Sequence, residues 1–208
     1  MTGASKYHLS KGTSADGPHD LAITPESAGW TYSGLRVLPL RPGEEHALST
    51  GENEFLVLPL NGGCTVAVDG RSFELGGWTD VFSAVTDFAY LPRESQAVIS
   101  SADGGTYALP SARTEQGGHS ARYGRKEDVP VELRGAGACS WWRHGADPHG
   151  RHGPSIAAPG YDLYCLDVMA GPGQDRAPLI CDDPARGWVR DTWASQDVDD
   201  RLRIGEHR

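Results

Sequence analysis

Three histidines lie close together in the last third of this 208-residue chain, in a loop rich in glycine and proline. They are His144, His149 and His152. Imidazole is a common ligand of divalent transition metals, so a metal site is one interpretation. The spacing H-x4-H-x2-H fits neither one face of a helix nor a common zinc motif. The residues alone favour the other interpretation, a solvent-exposed histidine-rich loop.

His152 differs from the other two histidines because an alternating, strand-like segment follows it after a Gly-Pro turn. Tyr161 and Tyr164 lie on that segment. In one interpretation Leu163 and Cys165 pack inward and the tyrosines face solvent or a neighbouring element. In the other, Tyr161 and Tyr164 line a substrate cavity, and they are kept as candidate substrate-binding residues.

The elements that would position these residues are short strands. The sequence has high glycine and proline content, and its apolar runs are short and interrupted by turns. Asp69-Gly70, between two alternating segments, predicts a two-residue hairpin turn. Many short strands at near-regular spacing predict a small antiparallel barrel or jelly roll. The predicted strands are Trp30–Tyr32, Leu35–Leu40, Glu54–Leu60, Cys64–Val68, Arg71–Leu75, Asp80–Phe82, Asp87–Pro92, Ala97–Ser100 and Thr106–Leu109.

The second half of the chain is too short for another complete barrel. A strand pattern restarts at Val129 and ends at Gly173, whereas an eight-stranded jelly roll needs roughly 65–80 residues. An incomplete barrel leaves two unpaired edges and an open apolar face. Either the N-terminal barrel covers that face, or a second copy of the chain covers it in a homo-oligomer, or the second domain is poorly ordered. The predicted organisation is an N-terminal extension (1–29), a complete barrel (30–110), a linker (111–128), an incomplete barrel with its tail (129–193) and a frayed terminus (194–208).

Composition excludes several classes of protein. The net charge of −9 and a pI near 5.3 argue against nucleic-acid binding, because no basic stripe could neutralise phosphates. No signal peptide and no apolar run long enough for a membrane span is found. The four cysteines form no CxxC pair, so we expect reduced thiols in a soluble cytoplasmic protein.

The first barrel carries one candidate metal ligand, His46. His46 follows a Pro-Gly turn, but no second histidine accompanies it, and Glu52 and Glu54 are the nearest carboxylates downstream. Glu94 and its neighbours stand where a last histidine ligand would be expected. The sequence therefore predicts a scaffold barrel without metal.

Several motifs resemble the 5-deoxy-glucuronate isomerase family, two-cupin enzymes of myo-inositol catabolism. The resemblance covers most of the chain, and its C-terminal part is the most specific to the family. The residues that carry it are Lys6-Tyr7-His8-Leu9, the segments 29–37, 58–60, 87–92 and 134–137, the segment 148–173 and the tail 182–193.

The resemblance implies an all-β bicupin fold, of the double-stranded β-helix or jelly-roll type, with the C-terminal barrel truncated. It implies an aldose–ketose isomerisation of a small sugar acid, 5-deoxy-glucuronate to 5-dehydro-2-deoxy-gluconate. The family's divalent metal, whose identity stays open, would be held by three histidines and a glutamate and act as a Lewis acid. Only His152 matches one of those ligands, so we expect the metal to be absent or weakly bound. The alternative is a non-catalytic cupin remnant or a truncated gene product that lacks the metal site; the catalytic base is unknown.

Overall fold

The computed structural model describes residues 9–83, 85–128 and 163–170. The chain divides into two compact units, one of residues 1–129 with 168–176 and one of residues 130–167 with 177–208. Every strand and helix given below belongs to the first unit. Of the second unit, residues 163–167 are described.

Ten strands and one short α-helix form the described part of the first unit. In chain order they are β1 (Leu21–Ile23), α1 (Pro25–Ala28), β2 (Ser33–Leu40), β3 (Glu44–Ser49), β4 (Asn53–Asn61), β5 (Cys64–Val68), β6 (Arg71–Leu75), β7 (Phe88–Leu91), β8 (Gln96–Ser101), β9 (Gly105–Arg113) and β10 (Arg122–Gly124), followed by a 3-10 turn at Lys126–Asp128.

The strands form two antiparallel sheets with jelly-roll connectivity. One sheet has the order β1-β2-β9-β4-β7-β10 and the other the order β3-β8-β5-β6. Pairing is nested: β2 pairs with β9, β3 with β8, β4 with β7 and β5 with β6. A long hairpin folded over on itself gives this pattern, which defines a jelly roll. The predicted all-β jelly-roll class is confirmed; the truncated second barrel lies outside the described residues and stays a prediction.

The space between the two sheets is filled with apolar side chains. Val57, Leu91, Ile99 and Leu109 are fully buried at its centre, and the hydroxyl of the buried Tyr107 donates to the Gly63 carbonyl at 2.7 Å. Burying one such side chain contributes about 1.5–3 kcal/mol. The core therefore supplies the main driving force for the fold of this barrel.

The predicted hairpin turn is confirmed. Asp69 and Gly70 connect β5 and β6, and both have positive φ, 50° and 75°. Positive φ at both central positions is typical of a type I′ turn, whose twist matches that of the flanking strands. Asp69 also accepts a hydrogen bond from Ser95 at 2.8 Å, which ties the turn to the start of β8.

Two predicted strands are wrong. Asp80–Phe82 lies in a turn, because the Asp80 carboxylate accepts hydrogen bonds from the Phe82 amide and the Ser83 hydroxyl and so favours a local turn. Phe82 is correspondingly exposed. Trp30–Tyr32 precedes β2 and is not a strand; the Trp30 indole donates to the Ser33 carbonyl at 2.5 Å.

Three strands were not predicted. β1 lies in the predicted N-terminal extension and pairs with β2, and β10 lies in the predicted linker and pairs with β7. β9 also extends to Arg113, beyond the predicted end of the barrel. β3 was missed because it is an edge strand with one fully buried side chain, Leu48, and therefore lacks alternating apolar residues.

The segment expected to close the second barrel is partly described. Residues 163–170 form no strand. The strand prediction is therefore wrong for these residues. Among the described residues, no helix has the length and apolar composition that crossing a membrane requires.

Candidate functional site

Polar side chains enter the barrel interior at one end of the six-stranded sheet. Residues directly opposite each other on antiparallel strands share a face. Arg36 lies opposite the buried Leu109, and Ser111 lies opposite the buried Phe55. Arg36 and Ser111 therefore belong to the inner face. Asn53 on β4 pairs with Arg113 on β9, two residues beyond the Phe55–Ser111 pair, so these two residues share that face. We call the region formed by Arg36, Asn53, Phe55, Ser111 and Arg113 the barrel mouth.

The barrel mouth lines a partly open cavity of about 100 Å³, which residues 23–26 and Glu52 also line. The segment 23–26 is held over the cavity by the capping of α1. The Thr24 hydroxyl accepts from the Ser27 amide at 3.2 Å, and the Ser27 hydroxyl accepts from the Thr24 amide at 2.9 Å. This reciprocal capping box, with Pro25 at the first helical position, fixes where the helix begins.

Arg36 is the most unusual side chain of the barrel mouth. Its guanidinium carbon lies 5.5 Å from the centroid of the Phe55 ring, within the range of a cation–π interaction. The ion pairs among the described residues do not include Arg36. A half-buried guanidinium without a carboxylate partner in the described part of the chain can bind an anion.

The other charges of the cavity are placed differently. Arg113 forms a 2.7 Å ion pair with Glu52. Glu26, in the first turn of α1, has its pKa lowered by its own backbone amide and then by the Thr24 side chain, so it stays ionised at neutral pH. The cavity thus combines cationic groups with carboxylates and neutral hydrogen-bonding groups.

A pair of histidines lies beside Arg36. The rings of His19 and His46 meet edge to face, with 5.2 Å between their centroids. His19 Nδ1 lies 3.2 Å from the Asp16 carbonyl, and its Nε2 is buried without a hydrogen-bond partner among the described residues. Burial lowers the pKa of both histidines, and the positive charge of Arg36 lowers both further. Both rings are therefore held in the neutral form near pH 7.

The residues predicted from sequence are only partly described. His152 and Tyr161 lie outside the described residues, as do His144 and His149. Tyr164 is 41 % exposed, and partial burial raises the pKa of its phenol. Its role as a substrate-binding residue stays a prediction.

Among residues 9–83, 85–128 and 163–170, no three His, Cys, Asp or Glu side chains form a group that could hold a metal ion. Glu52 and Glu54, the carboxylates that follow His46 in the sequence, interact with other side chains. Glu54 accepts from the Tyr90 hydroxyl at 3.0 Å and Glu52 pairs with Arg113. These residues do not fit the metal that the family resemblance implies, so any ligands would come from outside the described ranges.

A second polar cluster surrounds the buried Asp87. Its carboxylate accepts from the Gly76 amide at 2.9 Å and from the Tyr123 hydroxyl at 2.7 Å. The hydrogen bond to Asp87 raises the pKa of Tyr123 to about 12. Asp87 also adds to the effect of burial, which raises the pKa of the Cys64 thiol to about 12. The hydrogen bonds of Asp87 connect the ends of β6 and β7 to β10, so the role of this cluster is to stabilise the fold.

Sequence reasoning missed Arg36 and Arg113 as inward-facing residues. In β2, apolar residues occupy positions of both parities, so alternation does not show which face is internal. The signal that could have placed Arg36 inside is Gly34-x-Arg36-x-Leu38-x-Leu40, because Leu38 and Leu40 are buried. The opposite face of β2 carries Leu35 and Val37, so the sequence fits either face as the internal one.

Comparison with known proteins identifies relatives of the chain. Residues 8–144 and 146–189 match the KduI/IolB family. A protein from Geobacillus thermodenitrificans (strain NG80-2) named 5-deoxy-glucuronate isomerase is 26% identical over 73% of this chain and 56% of its own length. Its namesake from Geobacillus kaustophilus (strain HTA426) is 30% identical over 55% of this chain and 42% of its own length. The chain thus spans about half the length of these curated relatives.

A solved structure agrees with this assignment. The crystal structure of an IolB-like protein from Salmonella typhimurium LT2 superimposes with a TM-score of 0.55 at 26% identity, over 59% of this chain and 47% of that one. The family match extends over most of the chain and includes most of the motifs on which the sequence resemblance rests; Lys6, Tyr7 and residues 190–193 lie outside it. The chain belongs to the KduI/IolB family.

Proposed function

We propose that this chain is an isomerase of myo-inositol catabolism that converts 5-deoxy-glucuronate into 5-dehydro-2-deoxy-gluconate. The observation that carries the proposal is the family match over residues 8–144 and 146–189, with two curated relatives named for this activity. The substrate class is a small sugar acid. The reaction moves a proton from C2 to C1 of the open-chain sugar and requires a general base.

The role of the described barrel in this proposal is to support the site, because its interior is apolar between the sheets. A divalent metal, when bound, would withdraw electrons from the substrate carbonyl. His152 is the residue of this sequence that matches a family ligand position, and His144 and His149 lie close to it in sequence.

A second candidate function is a cupin remnant that folds but catalyses nothing. One observation favours it: three of the four ligands that the resemblance implies have no counterpart in the segment between Gly137 and Asp147. A fold can persist after the chemistry of its site is lost, since activity resides in the site.

Metal occupancy separates the two candidates. Purified full-length chain would be equilibrated by dialysis against excess Mn²⁺, Fe²⁺, Zn²⁺ or Ni²⁺, and bound metal measured by elemental analysis. The isomerase predicts about one equivalent of one of these metals, reduced in His152→Ala and retained in His119→Ala. His119 is an exposed histidine and serves as the matched control. Occupancy that is zero, or equal in both variants, would favour the remnant.

A further inference from the structure

We propose that the barrel mouth is a binding site for small hydroxycarboxylates, with the Arg36 guanidinium holding the carboxylate. The proposal concerns the N-terminal barrel alone and does not depend on the isomerase activity. It rests on the position of Arg36, the polarity of the cavity and its size.

Arg36 lies half-buried in the barrel mouth, and the ion pairs of the described residues do not include it. It projects from the inner face of β2, opposite the fully buried Leu109 and beside the Phe55 ring. A guanidinium that is partly removed from water loses part of its hydration, and a charged partner would compensate for that loss. A ligand carboxylate would satisfy it through two parallel N–H···O hydrogen bonds, the geometry that arginine favours.

The rest of the cavity suits hydroxyl groups. Asn53 and Ser111 can each donate and accept a hydrogen bond, and Glu26 stays ionised and can accept from a hydroxyl. An acid without hydroxyl groups would leave these three side chains without a hydrogen-bond partner on the ligand. A ligand that carries a carboxylate and hydroxyl groups on the adjacent carbons offers a partner to each kind of lining group.

The size of the cavity limits the ligand. At about 100 Å³ it is well below the roughly 300–1,000 Å³ of sites for drug-sized molecules. It therefore accommodates a small hydroxy acid or the carboxylate end of a sugar acid. Two of the lining residues, Ser111 and Ile23, pack closely against Gly34: a Cβ there would lie 2.6 Å from Ser111 Oγ and 3.1 Å from the Ile23 carbonyl oxygen.

The test is calorimetric titration of the full chain with D-glucuronate, with neutral D-glucose as the matched control. We expect D-glucuronate to bind and D-glucose not to bind. Arg36→Gln should weaken binding about tenfold or more, because a charge-assisted pair is lost. Arg41→Gln makes the same charge change at an exposed residue outside the cavity and should bind like the parent.

His152→Ala distinguishes this site from the isomerase site. Binding that falls in Arg36→Gln and persists in His152→Ala supports the barrel mouth, whatever the activity of the chain. Binding that falls in His152→Ala and persists in Arg36→Gln would overturn the proposal. Equal binding of D-glucuronate and D-glucose, or no binding of D-glucuronate, would also overturn it.

A measurement on the unmodified chain covers the case in which Arg36→Gln fails to fold. The NMR signal of the Arg36 side-chain N–H, assigned in the unmodified chain, should shift on addition of D-glucuronate and stay unchanged with D-glucose. The shift should require more D-glucuronate at high salt, since chloride screens the guanidinium. An Arg36 signal that ignores D-glucuronate would contradict the site.

Discussion

Thr50→Val should destabilise the barrel although it conserves shape and adds apolar surface. Thr50 is 2 % exposed, between β3 and β4. Its hydroxyl donates to the Pro92 carbonyl at 2.8 Å and accepts from the Ser95 amide at 2.8 Å, so it connects this loop to the turn before β8. Valine removes both hydrogen bonds and leaves a buried carbonyl and a buried amide without that partner.

The magnitude follows from those two groups. An unsatisfied buried polar group costs about 1–3 kcal/mol, so the loss at Pro92 and Ser95 together should lower the free energy of unfolding by about 2–6 kcal/mol. No cavity term is added, because valine and threonine have nearly the same volume. Such a loss is a large share of the about 5–15 kcal/mol that stabilises a typical domain.

Urea unfolding followed by circular dichroism measures this difference. The matched control is Thr65→Val on β5, where the threonine is partly exposed between two buried neighbours. We expect that control to change stability by less than about 0.5 kcal/mol. If Thr50→Val and Thr65→Val have the same unfolding midpoint, the hydroxyl of Thr50 does not hold the two loops together and the reasoning fails.

Three further predictions concern titration, reactivity and the core. Burial lowers the pKa of His19 and His46 below 6.5, so in acid the unfolded chain binds more protons than the folded chain. The free energy of unfolding should therefore have its full value above about pH 6.5 and decline below it. A double variant with asparagine at both positions should decline less, and an identical pH profile would contradict this account. Cys64, with its thiol pKa raised to about 12 by burial, should resist iodoacetamide at neutral pH in the native chain and react once the chain is unfolded in urea; peptide mass mapping checks this, and equal labelling would be the contrary result. Tyr107→Phe should cost about 0.5–1.5 kcal/mol in urea unfolding, since it removes one hydrogen bond to the Gly63 carbonyl; a gain in stability would contradict that bond.

The elements predicted from sequence are those whose local chemistry agrees with their place in the fold. The β5–β6 hairpin alternates cleanly and carries Asp69-Gly70 at the two positions that need positive φ. The family was also accessible from sequence, because its motifs are local strings of residues. Asp80–Phe82 failed since its apolar residues suggested a strand while the Asp80 side chain stabilises a turn.

The barrel mouth could not be predicted in the same way. Arg36, Ser111 and Arg113 become neighbours through the pairing of β2 with β9, and Asn53 joins them through β4. These contacts connect residues far apart in sequence, and no local pattern encodes them. The pairing of His19 with His46 depends likewise on the segment before β1, which the sequence predicts to be an N-terminal extension.

The isomerase proposal is tested most directly by following 5-deoxy-glucuronate itself. Purified full-length chain would be incubated with the sugar acid and excess divalent metal, and the products followed by proton NMR, with a chelator-treated sample alongside. The account predicts that signals of 5-dehydro-2-deoxy-gluconate appear at a rate proportional to the amount of chain and disappear with the chelator. A folded chain that leaves the substrate unchanged with every metal supplied would contradict it.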